Sequence, residues 1–173
     1  AYVTSISGLP VSPEQLVSYI YEPAVSPHLA AQLEKRPVDM KKIQSDFHHI
    51  ATQFDVVVAE GSGGIICPLR MDSSPIMLTD VIQTLHLPIL IVAHAGLGTI
   101  NSTVLTAAYA KQHNITVNGI ILNQYDSNNL MHRDNKKQIE HLTGIPVVAC
   151  VKSNETELSV SAELLLHLCN DIS

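Results

Sequence analysis

Several features are scarce in this sequence, and each absence narrows the class of protein. Tryptophan is absent and aromatic residues make up only 4% of the 173 residues, so the core must be built from aliphatic side chains. Charged residues make up 15% and hydrophobic residues 46%, a balance typical of globular chains rather than disordered ones. This length allows one domain with a substantial core, and we predict a single domain over residues 1–173.

Cysteine motifs, long apolar runs and excess positive charge are also missing. Cys67, Cys150 and Cys169 lack Cys-x-x-Cys spacing, which favours reduced thiols over a zinc site. No apolar run approaches the ~20 residues of a membrane span and no signal peptide is evident, so we expect a cytoplasmic protein without a membrane partner. A net charge of -6 argues against nucleic-acid binding but leaves a nucleotide ligand possible.

The phosphate-binding sequence Gly-x-x-x-x-Gly-Lys-Ser/Thr is absent as well, and no glycine is directly followed by lysine. A nucleotide-binding α/β domain usually opens with a strand and such a loop, whereas this chain opens on Ala1-Tyr2-Val3. Two interpretations follow: the chain is another kind of protein, or its N-terminal part is missing.

What the sequence does contain is a repeated strand, loop and helix pattern from Phe54 onward. Alternating strands and helices predict an α/β fold, with a parallel sheet covered by helices on both faces. The predicted strands are Asp55–Ala59, Pro88–His94, Val117–Asn123 and Val147–Val151. The predicted helices after Phe54 are Met77–Leu85, Asn101–His113, Asn128–Thr143 and Glu155–Cys169, with Asn101 as a cap and Gly144 as a stop.

The first fifty residues are less regular. Leu16–Tyr21 is a possible strand, His28–Lys35 is predicted as a short helix between prolines, and Met40–Gln53 is predicted as a longer amphipathic helix.

The segment from Val56 to Gly64 carries a chemical signal. Three consecutive valines predict a strand buried on both faces, and Glu60 follows at the end where open α/β sheets bind ligands. A carboxylate beside glycine amides suits a metal–phosphate site, with the amides facing oxygens and the carboxylate facing the cation. An ordinary turn with a solvated Glu60 explains the same residues.

Four segments together resemble the dethiobiotin synthetase family, in the family's order and spacing across the whole chain. The first is Tyr21–Ala31, similar to the family's EPxSPHLAA stretch, and the second is Val58–Gly64 followed by Pro68-Leu69. The third is Leu97-Gly98-Thr99-Ile100-Asn101 followed by Thr103–Thr106, and the fourth is Gly119–Asn123.

The resemblance implies a P-loop NTPase-like, three-layer fold and an ATP-dependent ring closure. In that family 7,8-diaminononanoate and CO2 (or bicarbonate) are joined with MgATP to give dethiobiotin, ADP and phosphate. The family's phosphate loop and catalytic lysine lie N-terminal to the part that matches here. The resemblance therefore implies that the chain is N-terminally incomplete and that activity needs the absent segment, and it assigns no catalytic lysine.

The family also implies roles for residues at the metal–phosphate site. Glu60 matches its magnesium-binding glutamate, and Gly61, Ser62 and Gly63 match the turn beside the γ-phosphate and the carbamylated substrate. Ser62 replaces the family's usual alanine, and we expect no loss of function from the hydroxyl.

Gly98, Thr99, Ile100 and Asn101 match the loop that receives the substrate's distal carboxylate. A loop that opens a helix favours an anion, because its free amides and the helix dipole are positive. In the family this loop serves the neighbouring subunit's site, which implies a homodimer with shared active sites.

The remaining matches concern the nucleotide. Asn123 with Gln124 matches the family's adenine-reading pair, while Lys152 and Ser153 align with a turn beside the base, where Lys152 replaces the family's proline. Glu157 aligns with an acidic residue near the ribose. His94 ends a predicted strand near this site, where a structural histidine is the commoner interpretation.

Two rival functions stay open at the level of sequence. One is a related P-loop superfamily ATPase, such as an amidase synthetase or a partitioning ATPase. The other is a non-catalytic fragment or paralogue that binds a nucleotide without turnover.

Overall fold

A computed structural model of the chain describes residue 6, residues 8–9 and residues 11–169. The chain divides into two compact units, Ala1–Leu85 and His86–Ser173, and each is described by itself. The single domain expected from the sequence therefore stays a prediction.

The first unit combines short helices with a small antiparallel hairpin. Its elements are α1 (Pro13–Leu16), α2 (Pro27–Leu33), α3 (Met40–Ala51), β1 (Pro68–Arg70), β2 (Ile76–Met77) and α4 (Leu78–Thr84). Strands β1 and β2 pair antiparallel, with Pro68 opposite Met77. The sequence pattern predicted α2, α3 and α4 to within two residues at every end but did not predict the hairpin.

A small aliphatic core holds the first unit together. Its buried members are Val38, Cys67, Leu69 and Ile76. Ile43 from α3 and Val81 from α4 pack against this cluster from the sides. The hairpin contributes Leu69 and Ile76 to this cluster, and Cys67 directly precedes its first strand.

The predicted strand Asp55–Ala59 is wrong in this structure, since these residues form no strand. Val58 is 87% exposed and Val56 is 47% exposed, so the valine run is not buried on both faces either. A β-branched run becomes a strand only when neighbouring strands supply hydrogen bonds and side-chain contacts. Among the described residues, no segment pairs with this run.

The possible strand at Leu16–Tyr21 is also wrong. Leu16 ends the short helix α1, and the residues after it lie in irregular structure. Their tyrosines make the contacts instead: the hydroxyl of Tyr21 donates to the carbonyl of Arg36 (2.8 Å), and the amide of Asp39 donates to the hydroxyl of Tyr19 (2.9 Å). Side-chain contacts to the α2–α3 loop thus replace strand pairing.

The second unit is a parallel sheet with flanking helices, as the sequence predicted. Its elements are β3 (Ile89–His94), α5 (Thr99–Gln112), β4 (Val117–Asn123), α6 (Leu130–Thr143), β5 (Val147–Val151) and α7 (Ala162–Leu168). The strand order is β3-β4-β5, and both pairings are parallel. Strands β4 and β5 have the predicted bounds, and β3 begins one residue later than predicted.

The core of this unit lies between the sheet and helices α5 and α6. Ile120 and Leu122 of β4 are fully buried, as is Ile139 of α6. Ile91 from β3 and Ala107 from α5 complete the contact with these three. The central strand therefore supplies the most completely buried side chains, as expected for a strand with neighbours on both edges.

All three helices of the second unit begin elsewhere than predicted, and α6 begins two residues later, at Leu130. Helix α5 begins at Thr99 with Gly98 as its N-cap, so Asn101 is its third residue and not its cap. Gly98 has a φ of +89°, a left-handed conformation that glycine adopts without strain. The buried hydroxyls of Thr99 and Thr103 lie 3.4 Å apart and tie the extra half turn into the helix.

Helix α7 begins at Ala162, seven residues later than the predicted start at Glu155. The hydroxyl of Ser161 accepts from the amide of Leu164 (3.1 Å) and caps this helix. Serine favours caps over helix interiors because its hydroxyl competes for backbone groups. The other end is fixed by Asn118 of β4, whose amide donates to the carbonyl of Leu168 (2.8 Å).

The cysteines are all free thiols. Burial raises the pKa of the Cys67 thiol and of the Cys150 thiol, which keeps both in the unreactive protonated form. Across the described residues, no helix combines the length and apolar character needed to cross a membrane.

The predicted stop of α6 at Gly144 is confirmed and yields a stability test. Gly144 has a φ of +70°, and its amide donates to the carbonyl of Glu140 (2.9 Å). An added Cβ would meet nothing within 4 Å, so a substitution acts through backbone strain alone. We expect Gly144→Ala to lower the free energy of unfolding by about 1–2 kcal/mol, measured by urea denaturation.

Gly144→Asn is the matched control for this prediction. Asparagine tolerates the left-handed conformation better than alanine, so it should cost clearly less despite its larger side chain. Equal losses for the two variants would contradict backbone strain as the cause.

Candidate functional site

The carboxyl ends of the three parallel strands lie side by side in the second unit. His94 of β3 pairs with Asn123 of β4, which pairs with Val151 of β5. The pairing continues beyond the strands, because the amide of Ala95 donates to the carbonyl of Asn123 (2.9 Å) and the amide of Tyr125 to that of Val151 (2.8 Å). Ligands of open α/β sheets bind outside this edge.

The turn after β3 is held by a buried asparagine that the sequence analysis missed. Asn135 of α6 donates from Nδ2 to the carbonyl oxygens of Ala95 (2.9 Å) and Gly96 (3.1 Å). The available signal was an amide one helical turn before Ile139, on the helix face that enters the core. A polar residue on such a face needs partners, and here they are the two carbonyls of this turn.

The predicted carboxylate loop follows this turn and opens helix α5. Gly98 and Asn101 are exposed there, while Thr99 is buried and Ile100 packs against the core. The amide of Thr99 already donates to the carbonyl of Gly96 (3.3 Å), so Ile100 is the first residue of this helix whose amide is left for a ligand. The first turn of this fourteen-residue helix presents amides and the positive end of its dipole at the ligand edge.

The predicted base-reading pair lies at the end of β4. Asn123 is the last residue of the strand, and Gln124 follows in a left-handed conformation with a φ of +56°. The amide of Gln124 donates to Oδ1 of Asn123 (2.8 Å). The side-chain oxygen of Gln124 lies 2.7 Å from Nε2 of His94, a contact that the sequence did not indicate.

Lys152 and Ser153 follow directly after β5, so the structure brings them to the same edge as Asn123 and Gln124. The amide of Lys152 donates to a carboxylate oxygen of Glu155 (2.8 Å), which shapes the turn. Glu157 lies two residues farther along the same exposed loop. The second unit thus gathers the predicted base and carboxylate residues at one edge of its sheet.

Glu60, Gly61, Ser62 and Gly63 lie in an exposed loop of the first unit. The structure explains why glycine is favoured at two of these positions. A Cβ on Gly61 would lie 2.8 Å from the side chain of Leu78, and Gly63 has a φ of +82°. The position of this loop relative to the edge of the sheet stays a prediction. The motif was expected to follow a buried strand, and in the structure it follows an irregular segment instead.

Glu60 fits a Mg²⁺ ion held mainly by phosphates and water better than a metal site built from several protein side chains. Its carboxylate is exposed and makes no hydrogen bond or ion pair within the described part of the chain. Over those same residues, no group of three or more His, Cys, Asp or Glu side chains is arranged to hold a metal ion. A single carboxylate is the usual protein contribution to a Mg²⁺ ion that is bound mainly by phosphates and water.

The family motif at Tyr21–Ala31 contains the start of helix α2, and a proline in the first turn favours such a start. Pro27 is the first residue of α2, after Ser26. Nδ1 of His28 is buried without a hydrogen-bond partner in the described part of the chain. Ala30 and Ala31 of the same motif are buried, so small residues here serve packing.

Comparison with known proteins gives the class first. The family described as AAA domain matches residues 1–159, which agrees with the parallel sheet and its flanking helices. The chain is an α/β protein of this P-loop ATPase class.

Curated relatives then give the particular family. One is the ATP-dependent dethiobiotin synthetase BioD of Clostridium botulinum (strain Alaska E43 / Type E3), 50% identical over 149 residues, 86% of this chain and 66% of that protein. Proteins of the same name from Brachyspira hyodysenteriae and Clostridium botulinum (strain 657 / Type Ba4) are 49% and 45% identical, covering 87% and 99% of this chain and 68% and 75% of their own lengths. The chain spans about two thirds of the first relative's length. It belongs to the ATP-dependent dethiobiotin synthetase family, which confirms the resemblance.

The buried asparagine provides a test of the turn that carries the candidate site. In Asn135→Ala the carbonyls of Ala95 and Gly96 lose their shared donor in a buried environment. We expect the free energy of unfolding to fall by about 1–3 kcal/mol, measured by chemical denaturation.

Gln138→Ala is the control, because this residue lies on the same helix and only reaches Asp134 at the surface (3.2 Å). It should change the free energy of unfolding by less than about 0.5 kcal/mol. A loss in Gln138→Ala as large as in Asn135→Ala would contradict the assigned role of the buried amide.

Proposed function

We propose that the protein containing this chain uses ATP to close a ureido ring on 7,8-diaminononanoate with CO2, giving dethiobiotin, ADP and phosphate. The observation that carries the proposal is family membership at 42–50% identity over most of the chain. It is supported by the placement of the second unit's matching residues at the ligand edge of a parallel sheet. The cytoplasm is the proposed compartment.

The proposed reaction has three steps, which together require the reacting groups to be positioned and the phosphate charge to be neutralised. One amine of the substrate takes up CO2 as a carbamate, and a carbamate oxygen attacks the γ-phosphorus of ATP, releasing ADP. The neighbouring amine then attacks the carbonyl carbon, and phosphate leaves as the ring closes. Such phosphoryl transfer depends on orientation and electrostatics more than on covalent help from the protein.

Each part of the site has a proposed task. Glu60 holds Mg²⁺, which supplies charge neutralisation on the phosphates when bound. Gly61, Ser62 and Gly63 bring backbone amides near the γ-phosphate and the carbamate. The glycines permit the close approach, since Gly63 takes a left-handed conformation that other residues adopt at a cost.

The nucleotide's base is proposed to bind at the ends of β4 and β5. Asn123 and Gln124 supply side-chain amides, which can donate to or accept from a purine edge. Lys152 and Ser153 lie at the adjoining strand end, and Glu157 is proposed near the ribose. A lysine in place of the family's proline adds a positive charge at this turn.

The distal carboxylate of the substrate is proposed to bind at Gly98–Asn101. The exposed Asn101 and the amides of the first turn of α5 provide donors for it. We propose further that this loop serves the active site of a second copy of the chain. In support, Leu97 beside the loop is 93% exposed and Leu105 on α5 is 60% exposed, as interface residues are in an isolated subunit.

Replacement of the proposed magnesium ligand tests the reaction. Purified protein, including any sequence that precedes Ala1, is incubated with diaminononanoate, bicarbonate and MgATP, and dethiobiotin and ADP are quantified. Glu60→Gln should reduce kcat/KM by about a hundredfold, as loss of one electrostatic contact to a reacting group does. It should also raise the Mg²⁺ concentration required for half-maximal rate.

Glu163→Gln is the control, an exposed glutamate in the first turn of α7. It should leave the rate and its Mg²⁺ dependence unchanged. Absence of dethiobiotin in the unmutated protein would refute the reaction, and an unchanged Mg²⁺ dependence in Glu60→Gln would refute the metal role.

Complementation tests the shared site. If Glu60 of one subunit acts with Asn101 of its partner, a mixed dimer of Glu60→Gln and Asn101→Ala chains contains one site without either change. Random mixing should then restore about a quarter of wild-type activity, since half of the dimers are mixed and half of their sites are intact. Activity no higher than that of the separate variants would show that each subunit uses its own loop.

A further inference from the structure

His94 contacts the predicted base-reading pair and the turn that leads into the predicted carboxylate loop. Its Nδ1 accepts a hydrogen bond from the amide of Gly96 (2.9 Å), and its Nε2 lies 2.7 Å from the side-chain oxygen of Gln124. Gly96 belongs to the turn that leads into the carboxylate loop, whereas Gln124 belongs to the base-reading pair. One imidazole ring therefore connects two parts of the site that follow different strands.

The backbone decides which ring nitrogen carries the proton. The amide of Gly96 is only a donor, so Nδ1 of His94 must be an acceptor and must be unprotonated. In the neutral ring the proton then sits on Nε2. Nε2 therefore donates to its partner on Gln124, which must present an acceptor.

This assignment fixes the orientation of the Gln124 side chain. Its oxygen faces Nε2 of His94, so its NH2 group points the other way and stays available to donate. The neighbouring Asn123 is oriented in the same sense, because its Oδ1 already accepts from the amide of Gln124. The pair thus has both side-chain oxygens engaged by the protein and both NH2 groups left for acceptor atoms.

The turn is shaped to admit the ring. A Cβ on residue 96 would lie 2.7 Å from Cε1 of His94 and 2.8 Å from its Nδ1, so a side chain there would displace the ring. Asn135 holds the same residue from the other side through its carbonyl (3.1 Å). Gly96 is therefore fixed through its donor by His94 and through its acceptor by Asn135.

We propose that His94 is a positioning residue with two separable tasks. Its Nδ1 fixes the turn that leads into the carboxylate loop, and its Nε2 turns the Gln124 amide so that its NH2 group faces an acceptor on the nucleotide base. The identity of the two ligands rests on the proposed function. The positioning itself rests on the contacts of His94 alone.

Two isosteric substitutions separate the tasks. Asparagine places its side-chain oxygen near the position of Nδ1 but has nothing at Nε2, whereas glutamine places its NH2 group near Nε2 but has nothing at Nδ1. In the protein assayed above, His94→Asn should raise the KM for ATP about three- to tenfold, the worth of one hydrogen bond. His94→Gln should raise the KM for diaminononanoate by a similar factor.

A histidine with only a structural role would not make each variant raise the KM of a different substrate. Equal changes in both KM values for both variants would overturn the proposal, as would no change in either. His141→Asn and His141→Gln are the matched controls, because this histidine is exposed in the last turn of α6. They should leave both KM values unaltered.

A spectroscopic readout tests the positioning without any activity. Long-range proton–nitrogen correlation spectra report which nitrogen of a neutral imidazole is protonated, and the signals lost in His94→Asn assign the ring. We expect unprotonated Nδ1 and protonated Nε2, with Gln124 side-chain amide signals shifted in His94→Asn and retained in His94→Gln. The opposite tautomer would overturn the proposal even in an active enzyme, and the expected one would support it even if dethiobiotin were not the product.

Discussion

The parallel pairing of β4 with β3 and β5 is the constraint on which the rest of the second unit depends. Ile120 and Leu122 of β4 are fully buried, so this strand cannot shift by one residue without moving both side chains to the other face of the sheet. The register in turn fixes where the strands end. His94, Asn123 and Val151 then lie side by side, and every candidate ligand contact of this unit begins from that alignment.

The edge itself is organised by polar side chains that bind the backbone. Asn135 occupies a buried position on α6, where an unpaired amide would be costly, and its two carbonyl partners make it specific for one shape of the turn. His94 completes that shape from the solvent side. The sheet thus carries a short turn that several hydrogen bonds fix in shape, an arrangement that holds ligand contacts in place before the ligand binds.

The comparison of sequence with structure separates two kinds of inference. Strands β4 and β5 and the end of α6 at Gly144 followed directly from the sequence, because continuous apolar runs and a glycine stop are local signals. The run at Asp55–Ala59 carried the same kind of signal, yet Val58 is 87% exposed and no described segment pairs with it. A segment with high strand propensity forms a strand when a neighbouring strand pairs with it, and the segment's own sequence does not show whether such a neighbour exists.

The sequence by itself determined the family, the α/β pattern and the order of the candidate site residues, because motifs and periodicity are properties of neighbouring residues along the chain. The tertiary structure alone decided that His94 meets Gln124, thirty residues away, and that Asn135 meets Gly96, thirty-nine residues away. Such contacts depend on strand register and helix packing, which bring distant residues within hydrogen-bonding distance. A histidine at a strand end and an asparagine within a helix are therefore ambiguous in the sequence and specific in the fold.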